Sequence, residues 1–468
     1  MTNQMINTCA KFAGIALISG SVLLAGCDVD ELLEVSDPDT VNPGTLNDPL
    51  VLPIVVAGAQ SEFVNAYSSG ESYVTVTALM SDEYRSAGSF STRNATDRRN
   101  QQTIQQGNTS DGTYINLHQA RYALDDAAKR VEEFVSTSDP RYIEMRALEA
   151  MTLVMLGEAY CASAPISNVA EDGSFEFGEP QSSAATLQQA AALAGSVSGN
   201  LAAVIEGRAL LSLGQYSAAA AAVAGVPDDF VHYLQHSVSG AQNGVWTLGD
   251  QRRYSIPNGE GGNGIMYRDI GTQYAADQTT VLVAGDPRMP WFLDPRLGFT
   301  DTYDAASTLR YVDREAELPL ATGIEARLIQ AEAALQSNPG QMITILNNLR
   351  ANVVANMAIL APGWTVEAGA SLAPLTDPGT DAARRDLLFQ ERALWLYMTG
   401  HRMTDMRRLV ANYGVPQNEV YPTGVYYKDD GSGTDVYDAD VVFPVDFDEA
   451  NNPNYELSLC NVSSASFN

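Results

Sequence analysis

Ala209-Leu-Leu-Ser-Leu-Gly214-Gln-Tyr216-Ser-Ala-Ala219 is the stretch on which the fold turns. An apolar run ends at Leu213, Gly214 follows, and small residues resume at Ser217 with one aromatic, Tyr216, at the join. Glycine enters left-handed backbone without a steric penalty, so Gly214 permits a tight reversal between two helices. The alanines beyond it leave no bulk to hold the second helix away, and Tyr216 can wedge between the pair. Leu201 to Leu213 therefore reads as one helix and Tyr216 to Val223 as its antiparallel partner.

This unit resembles the helix-turn-helix of a tetratricopeptide repeat. Working outward, His118 to Val135 places Ala120, Leu124, Ala127, Ala128, Val131 and Phe134 three or four apart, as one helical face requires. A second helix, Arg141 to Tyr160, starts behind the break at Asp139-Pro140, and Leu187 to Ala194 adds a third. Ile324 to Gln336 and Gln341 to Asn352 form another pair, split by Asn338-Pro339-Gly340. No strict period of about 34 residues runs through the chain, so the array is degenerate. The expected class is mainly α: tetratricopeptide-like helix pairs forming a right-handed superhelical scaffold, with few short strands. Residues 237–310 differ in character. Gly244-Val-Trp246, Arg253-Tyr254, Gly261-Gly262-Asn-Gly264-Ile-Met-Tyr267 and Gly285-Asp-Pro-Arg-Met-Pro-Trp291 read as a loop-rich aromatic insertion. Long non-repetitive insertions of this kind usually carry function.

The front of the chain has its own logic. Behind Lys11, Phe12 to Ala25 is apolar or small, too short to span a bilayer but suited to the core of a secretory leader. It ends in Leu23-Leu24-Ala25-Gly26-Cys27, which resembles a bacterial lipobox, in which the cysteine thiol takes the lipid and becomes the new N-terminus. No other stretch reads as apolar enough to cross a membrane, so contact with the membrane is expected through the lipid on Cys27 alone. Residues 1–26 are then the leader, 27–50 an acidic tether rich in Asp and Pro, and 51–468 a single globular domain. The acidic residues Asp28, Asp30 and Glu31 fit an outward-export tag.

Composition removes several function classes. The 57 acidic residues against 27 basic ones give a net charge of −30, which argues against nucleic acid or anionic lipid as partner, because counterion release needs basic patches. A solvated surface or a salty habitat accounts for the acidity. Once the leader is gone and Cys27 is acylated, Cys161 and Cys460 remain. In an oxidising compartment they are a candidate disulfide, with two separate buried thiols as the alternative.

Catalytic signatures are missing. His232 and His236 could share a helical face, but Tyr233 stands where a zinc protease has its Glu. There is no nucleophile elbow, P-loop or dinucleotide fingerprint. Asp429-Asp-Gly-Ser-Gly-Thr-Asp435 offers oxygens of the kind calcium takes, yet lacks EF-hand spacing and reads as a solvated turn. No cofactor, metal centre or enzymatic activity is expected.

Towards the C-terminus the motifs gain order. Glu325-Ala-Arg327-Leu-Ile-Gln-Ala331-Glu332-Ala333, then Leu346-Asn347-Asn-Leu-Arg350, then Glu391-Arg392 with Gly400-His-Arg402-Met-Thr-Asp405-Met-Arg407-Arg408, then Phe443-Pro444-Val445 with Asn451-Asn-Pro-Asn454 follow one another. Taken with the lipobox, the chain resembles the SusD/RagB family of outer-membrane nutrient-binding lipoproteins over its whole mature length. Trp395 and Thr399 stand where the common pattern has Glu, which marks a divergent branch. Read physically, Leu388 to Arg408 is one long helix with apolar Leu388, Leu394, Leu396 and Met398. Its Glu391, Arg392, Arg402 and Asp405 are spaced for ion pairs within the helix or across to a neighbour.

The resemblance implies a non-enzymatic lid over a TonB-dependent, SusC-like outer-membrane barrel. Such a protein faces outward from the cell, captures an oligosaccharide or oligopeptide, and passes it to the pore. Sugars offer C–H faces to aromatic rings and hydroxyls to polar side chains, so mixed aromatic-polar loops suit them. The candidates here are Trp246, Tyr254, Tyr267 and Trp291, with Asp82, Glu83 and Arg85 from the loop Ser81-Asp-Glu-Tyr-Arg-Ser86. Two other classes compete: an envelope scaffold using a tetratricopeptide-like groove for protein partners, and an anchored glycan-cleaving enzyme. An exposed aromatic cluster on the insertion favours capture, a bare helical groove favours the scaffold, and a cleft with two carboxylates about 5–9 Å apart favours cleavage.

Overall fold

A computed structural model describes residues 48–101, 109–170, 174–367, 369–428 and 431–468. The leader, Cys27, nearly all of the acidic tether, and Asp429 and Asp430 of the candidate calcium turn lie outside these residues. Helix α1 (Leu52–Ser68) begins with Pro53 in its first turn, where a missing N–H costs nothing. Together with the turn before it, it spans 20 residues, Pro49–Ser68, long and apolar enough by composition to cross a membrane. That corrects the expectation that no stretch behind the leader could do so. Its inner face is protein core, with Phe63, Ala66 and Tyr67 inaccessible to solvent. Helices α2 (Tyr73–Met80) and α3 (Ser91–Asp97) follow. All of α2 is buried, which is why no polar face marks it in the sequence.

The repeat-like scaffold then takes over. Helices α4 (Thr109–Phe134) and α5 (Pro140–Ala159) form an antiparallel pair. Asp139 caps the second of them, its carboxylate accepting the Arg141 N–H at 2.9 Å, with Pro140 at the first position. Helices α6 (Ser183–Gly195), α7 (Asn200–Ser212) and α8 (Tyr216–Ala222) continue the array. Gly214 does turn left-handed between the last two, at φ 70°. A second glycine, Gly207, sets how closely they pack: a Cβ there would lie 2.5 Å from Cγ1 of Val223. Tyr216 packs against Tyr413, the ring centroids 6.3 Å apart.

Helix α9 (Gly244–Asp250) opens the insertion. Later come α10 (Gly323–Leu335), α11 (Pro339–Ala351), α12 (Val353–Leu360), α13 (Asp381–Trp395) and α14 (Arg402–Ala411). Strand β1 (Val231–Leu234) pairs antiparallel with β6 (Leu318–Thr322), which leads into α10. Between them β2 (Gly271–Tyr274), β3 (Val281–Val283), β4 (Asp286–Leu293) and β5 (Ala306–Thr308) make a four-stranded sheet in the order β3-β2-β4-β5. Only β2 and β4 run parallel within it. The residues from Pro49 to Asn468 form one compact unit, mainly helical.

The segment expected as one long helix from Leu388 to Arg408 is two. α13 ends at Trp395 and α14 starts at Arg402. Met398 between them is left-handed at φ 56° and Gly400 at φ 71°. The break is held from outside, since the Met398 N–H donates to Glu83 Oε1 at 2.9 Å. Its charged residues consequently pair mostly across elements. Arg392 donates to Asp405 at 2.8 and 2.9 Å, and Arg408 reaches Glu332 at 2.8 Å and Asp405 at 3.0 Å. All four side chains are 2% exposed or less. Glu391 accepts from Arg288 at 2.7 Å and from Arg350 at 2.6 Å.

Arg310 and Arg407 are buried and serve the carbonyls at helix ends instead of carboxylates. Arg310 donates to the carbonyls of Trp395 and Tyr397, each at 3.1 Å, and to that of Leu394, where α13 ends. Arg407 donates to Gly157 (3.0 Å), Glu158 (2.8 Å) and Tyr160 (3.2 Å) at the end of α5, and to Ala465 and Ser466 of the C-terminal segment. The last carbonyls of a helix have no partner within it and carry its negative dipole end, so a guanidinium is a suitable buried cap. Cys161, just beyond α5, is disulfide-bonded to Cys460.

Candidate ligand-binding face

One loop, residues 294–305, organises the most promising surface. It leaves β4 and returns as β5, its base closed by the Asp294 N–H donating to the Ala305 carbonyl at 2.8 Å. Its tip is folded by Gly298 N–H to Tyr303 O at 2.6 Å and Asp301 N–H to Gly298 O at 2.7 Å. On one side Asp294, Pro295 and Arg296 rim a cavity of about 310 Å³, whose walls include Trp246, Asp250 and Phe292. Trp246 is half-buried on α9, where Asn243 caps the helix by accepting the Trp246 N–H at 3.0 Å. The Arg314 guanidinium lies over the indole, 5.4 Å from its centroid.

On the other side the loop presents Phe299, 45% exposed. The Arg253 guanidinium lies 4.0 Å from the Phe299 ring centroid and 5.3 Å from that of Phe90, itself 49% exposed. Arg93 lies over Phe90 at 4.5 Å. The order is therefore Arg93, Phe90, Arg253, Phe299. It exists because Arg252, left-handed at φ 56°, turns the chain sharply out of α9. The Arg252 carbonyl then accepts the Phe299 N–H at 2.8 Å, fixing turn to loop.

Beneath this platform the polar groups pair with one another. Lys428 donates to Gly88 O and Asn94 Oδ1, both at 2.7 Å, and to Ser86 Oγ at 3.3 Å. Asp97 accepts from Ser86 N–H at 2.9 Å, Tyr426 at 2.8 Å and Tyr427 at 2.6 Å. Arg85 and Arg268 share the carboxylate of Asp304. Arg85, expected at the ligand surface, is thus partly buried and paired.

Of the other expected contact residues, Trp246 lines the cavity beside this loop. Tyr254 and Tyr267 are fully buried, Tyr254 edge-on to Tyr84 at 5.5 Å and Tyr267 against Tyr397 at 4.9 Å. Trp291 is 7% exposed and its indole N–H donates to the Arg268 carbonyl at 3.1 Å. Asp82 is inaccessible, bound bidentately by Arg402 at 2.7 and 2.9 Å. These side chains shape the loops from behind and present no face to a ligand. Phe90, Arg93, Arg253 and Phe299 were not among the contact residues expected from the sequence. The available signal was their setting, Gly88-Ser-Phe90-Ser and Gly298-Phe299-Thr300, where an aromatic among small turn residues has no local core to join.

Glu83 is also core. Burial pushes its carboxyl from the ordinary range near 4.5 up to about 8, against the pull of the Met398 N–H. Folding therefore favours the protonated form, so this contribution is intact below pH 4.5 and is lost as pH rises towards 8. Glu83→Gln is expected to flatten the decline of the thermal midpoint between pH 5 and 8. Parallel curves for variant and parent would refute this.

Among the described residues no group of three or more His, Cys, Asp or Glu is placed to hold a metal ion. No family model matches the sequence, and no curated protein matches it significantly. Solved structures do match. Surface glycan-binding protein A from Bacteroides uniformis superposes with a TM-score of 0.56 at 13% identity, covering 88% of this chain and 99% of that one. A laminarin-binding SusD-like protein gives 0.53 at 15% identity, with coverage of 87% and 100%. A SusD/RagB family protein from Bacteroides thetaiotaomicron gives 0.56 at 12% identity, with 88% and 96%. The chain thus has the mainly α, tetratricopeptide-type SusD-like fold expected from its helix pairs and C-terminal motifs.

Proposed function

We propose that this chain, built on the SusD-like fold, is a surface lipoprotein that captures oligosaccharides and delivers them to a TonB-dependent SusC-like barrel. One observation carries the reading: exposed aromatic rings and an indole-walled cavity lie on the two sides of a single insertion loop. Rings of this kind stack on the C–H faces of a sugar, while Asp250, Asp294, Arg296 and Gln278 around the cavity can meet its hydroxyls. Solved relatives of this fold that bind laminarin or surface glycans support the same use of it. An oligopeptide could use the same rings, but the cavity's mixture of carboxylate, guanidinium and amide groups suits a hydroxylated ligand better. Acylation at Cys27 would hold this face beside the pore, and the reading needs no chemistry from the protein.

The purified protein should bind at least one glycan in affinity electrophoresis against a polysaccharide panel. Trp246→Ala should weaken that binding by roughly ten-fold, the loss of one stacking ring being worth about 1–1.5 kcal/mol, while the protein stays folded. Absence of any binding, or a variant that binds as tightly as its parent, would defeat the assignment of this face. Delivery predicts that a barrel encoded beside this gene co-purifies with the protein from detergent-solubilised membranes.

A further inference from the structure

We infer that Arg93 and Arg253 form a subsite for an anionic group, a carboxylate or sulfate ester, carried by the captured glycan. The inference rests on the glycan-binding reading and narrows it to acidic ligands. Two guanidinium groups share one exposed ring, at 4.5 and 5.3 Å from the Phe90 centroid, so their charges repel. Glu71 pairs with Nη2 of Arg93, and Gln251 accepts from Nε of Arg253 at 3.0 Å. Arg93 also lies over the ring of the buried Tyr254, 5.7 Å from its centroid. One carboxylate against two guanidinium groups leaves a net positive charge.

That arrangement is unusual in a chain with 57 acidic and 27 basic residues, where a carboxylate is seldom far from an arginine. Among the described residues, other arginines without an ion pair are mostly buried and serve backbone carbonyls: Arg99, Arg121, Arg310 and Arg407. Arg253 and Arg314 do neither. Both instead lie over rings of the candidate face, Phe299 and Trp246. A ring beneath a guanidinium covers its flat side and fixes its plane. A guanidinium so held is suited to the oxygens of a carboxylate or sulfate.

The test is affinity electrophoresis of the full-length protein and its Arg253→Gln and Arg253→Lys variants in gels containing alginate, carrageenan or laminarin. These polymers are carboxylated, sulfated and neutral. An acidic polymer should retard the parent, added salt should weaken the retardation, and Arg253→Gln should weaken it roughly ten-fold. Arg253→Lys should recover part of the loss. Retardation by alginate alone identifies a carboxylate ligand, and by carrageenan alone a sulfate ester. Equal retardation of parent and Arg253→Gln by the acidic polymers would overturn the subsite. Retardation by laminarin only, or by none of the three, would overturn it, and glycan capture would then stand or fall on the wider polysaccharide panel. A parent-like unfolding midpoint for each variant excludes misfolding as the cause.

Discussion

Asp405→Ala is expected to destabilise the protein by about 3–5 kcal/mol, the cost of leaving a buried charge unpaired. Asp405, Glu332, Arg392 and Arg408 form a neutral quartet, each member 2% exposed or less. Removing one carboxylate leaves two buried guanidinium groups facing Glu332. The ionised state of Asp405 is strongly favoured: burial opposes it, but Arg392 and Arg408 overcome burial and hold the carboxyl well below the usual range. Its contribution is present above the unfolded value near 3.8 and is lost only as pH falls below that. Denaturant unfolding at pH 7 reads the difference directly. Replacing Arg392 together with Asp405 by leucine and methionine should regain much of the loss, because the remaining Arg408–Glu332 pair is balanced. A single variant costing under about 1 kcal/mol would mean that water or another carboxylate reaches the site.

Cys460→Ser should cost about 2–5 kcal/mol. The bond joins positions 299 residues apart, and closing so long a loop removes much freedom from the unfolded chain. The value stays within the usual range because the C-terminal segment has other anchors. Ala184 donates its N–H to the Phe467 carbonyl at 2.6 Å, and Val441 to that of Val462 at 2.8 Å. The parent should migrate differently on non-reducing and reducing gels, and the variant should not. Reductant should lower the parent's unfolding midpoint to that of the variant; a parent insensitive to reductant would refute the stabilising role.

These residues also show what was readable from sequence. Helix pairs were legible wherever one face was apolar and the turn carried Gly, Pro or a capping Asp, as at Asp139-Pro140 and Gly214. The buried helix α2 was not, because a segment covered on all sides has no polar stripe to set its period. The spacing of Glu391, Arg392, Arg402 and Asp405 suggested ion pairs but not the break at Met398, which is held by Glu83 from more than 300 residues away. Most of the aromatic residues chosen within residues 237–310 are buried. Ring size and chemistry are the same for Tyr254, which is core, and for Phe299, which is exposed. Only the long-range packing around them tells the two apart.

Arg407 closes the end of a helix whose carbonyls precede it by 250 residues in the case of Gly157. During synthesis from the N-terminus, α5 is complete long before its cap exists. Until then its last carbonyls must be satisfied by water, so the early helices cannot settle into their final packing. A chain that remains unfinished in this way stays pliable until its last sixty or so residues are made. A fragment cut short before Arg407 would keep that helix end open, and would be an easy target for the proteases that clear incomplete products.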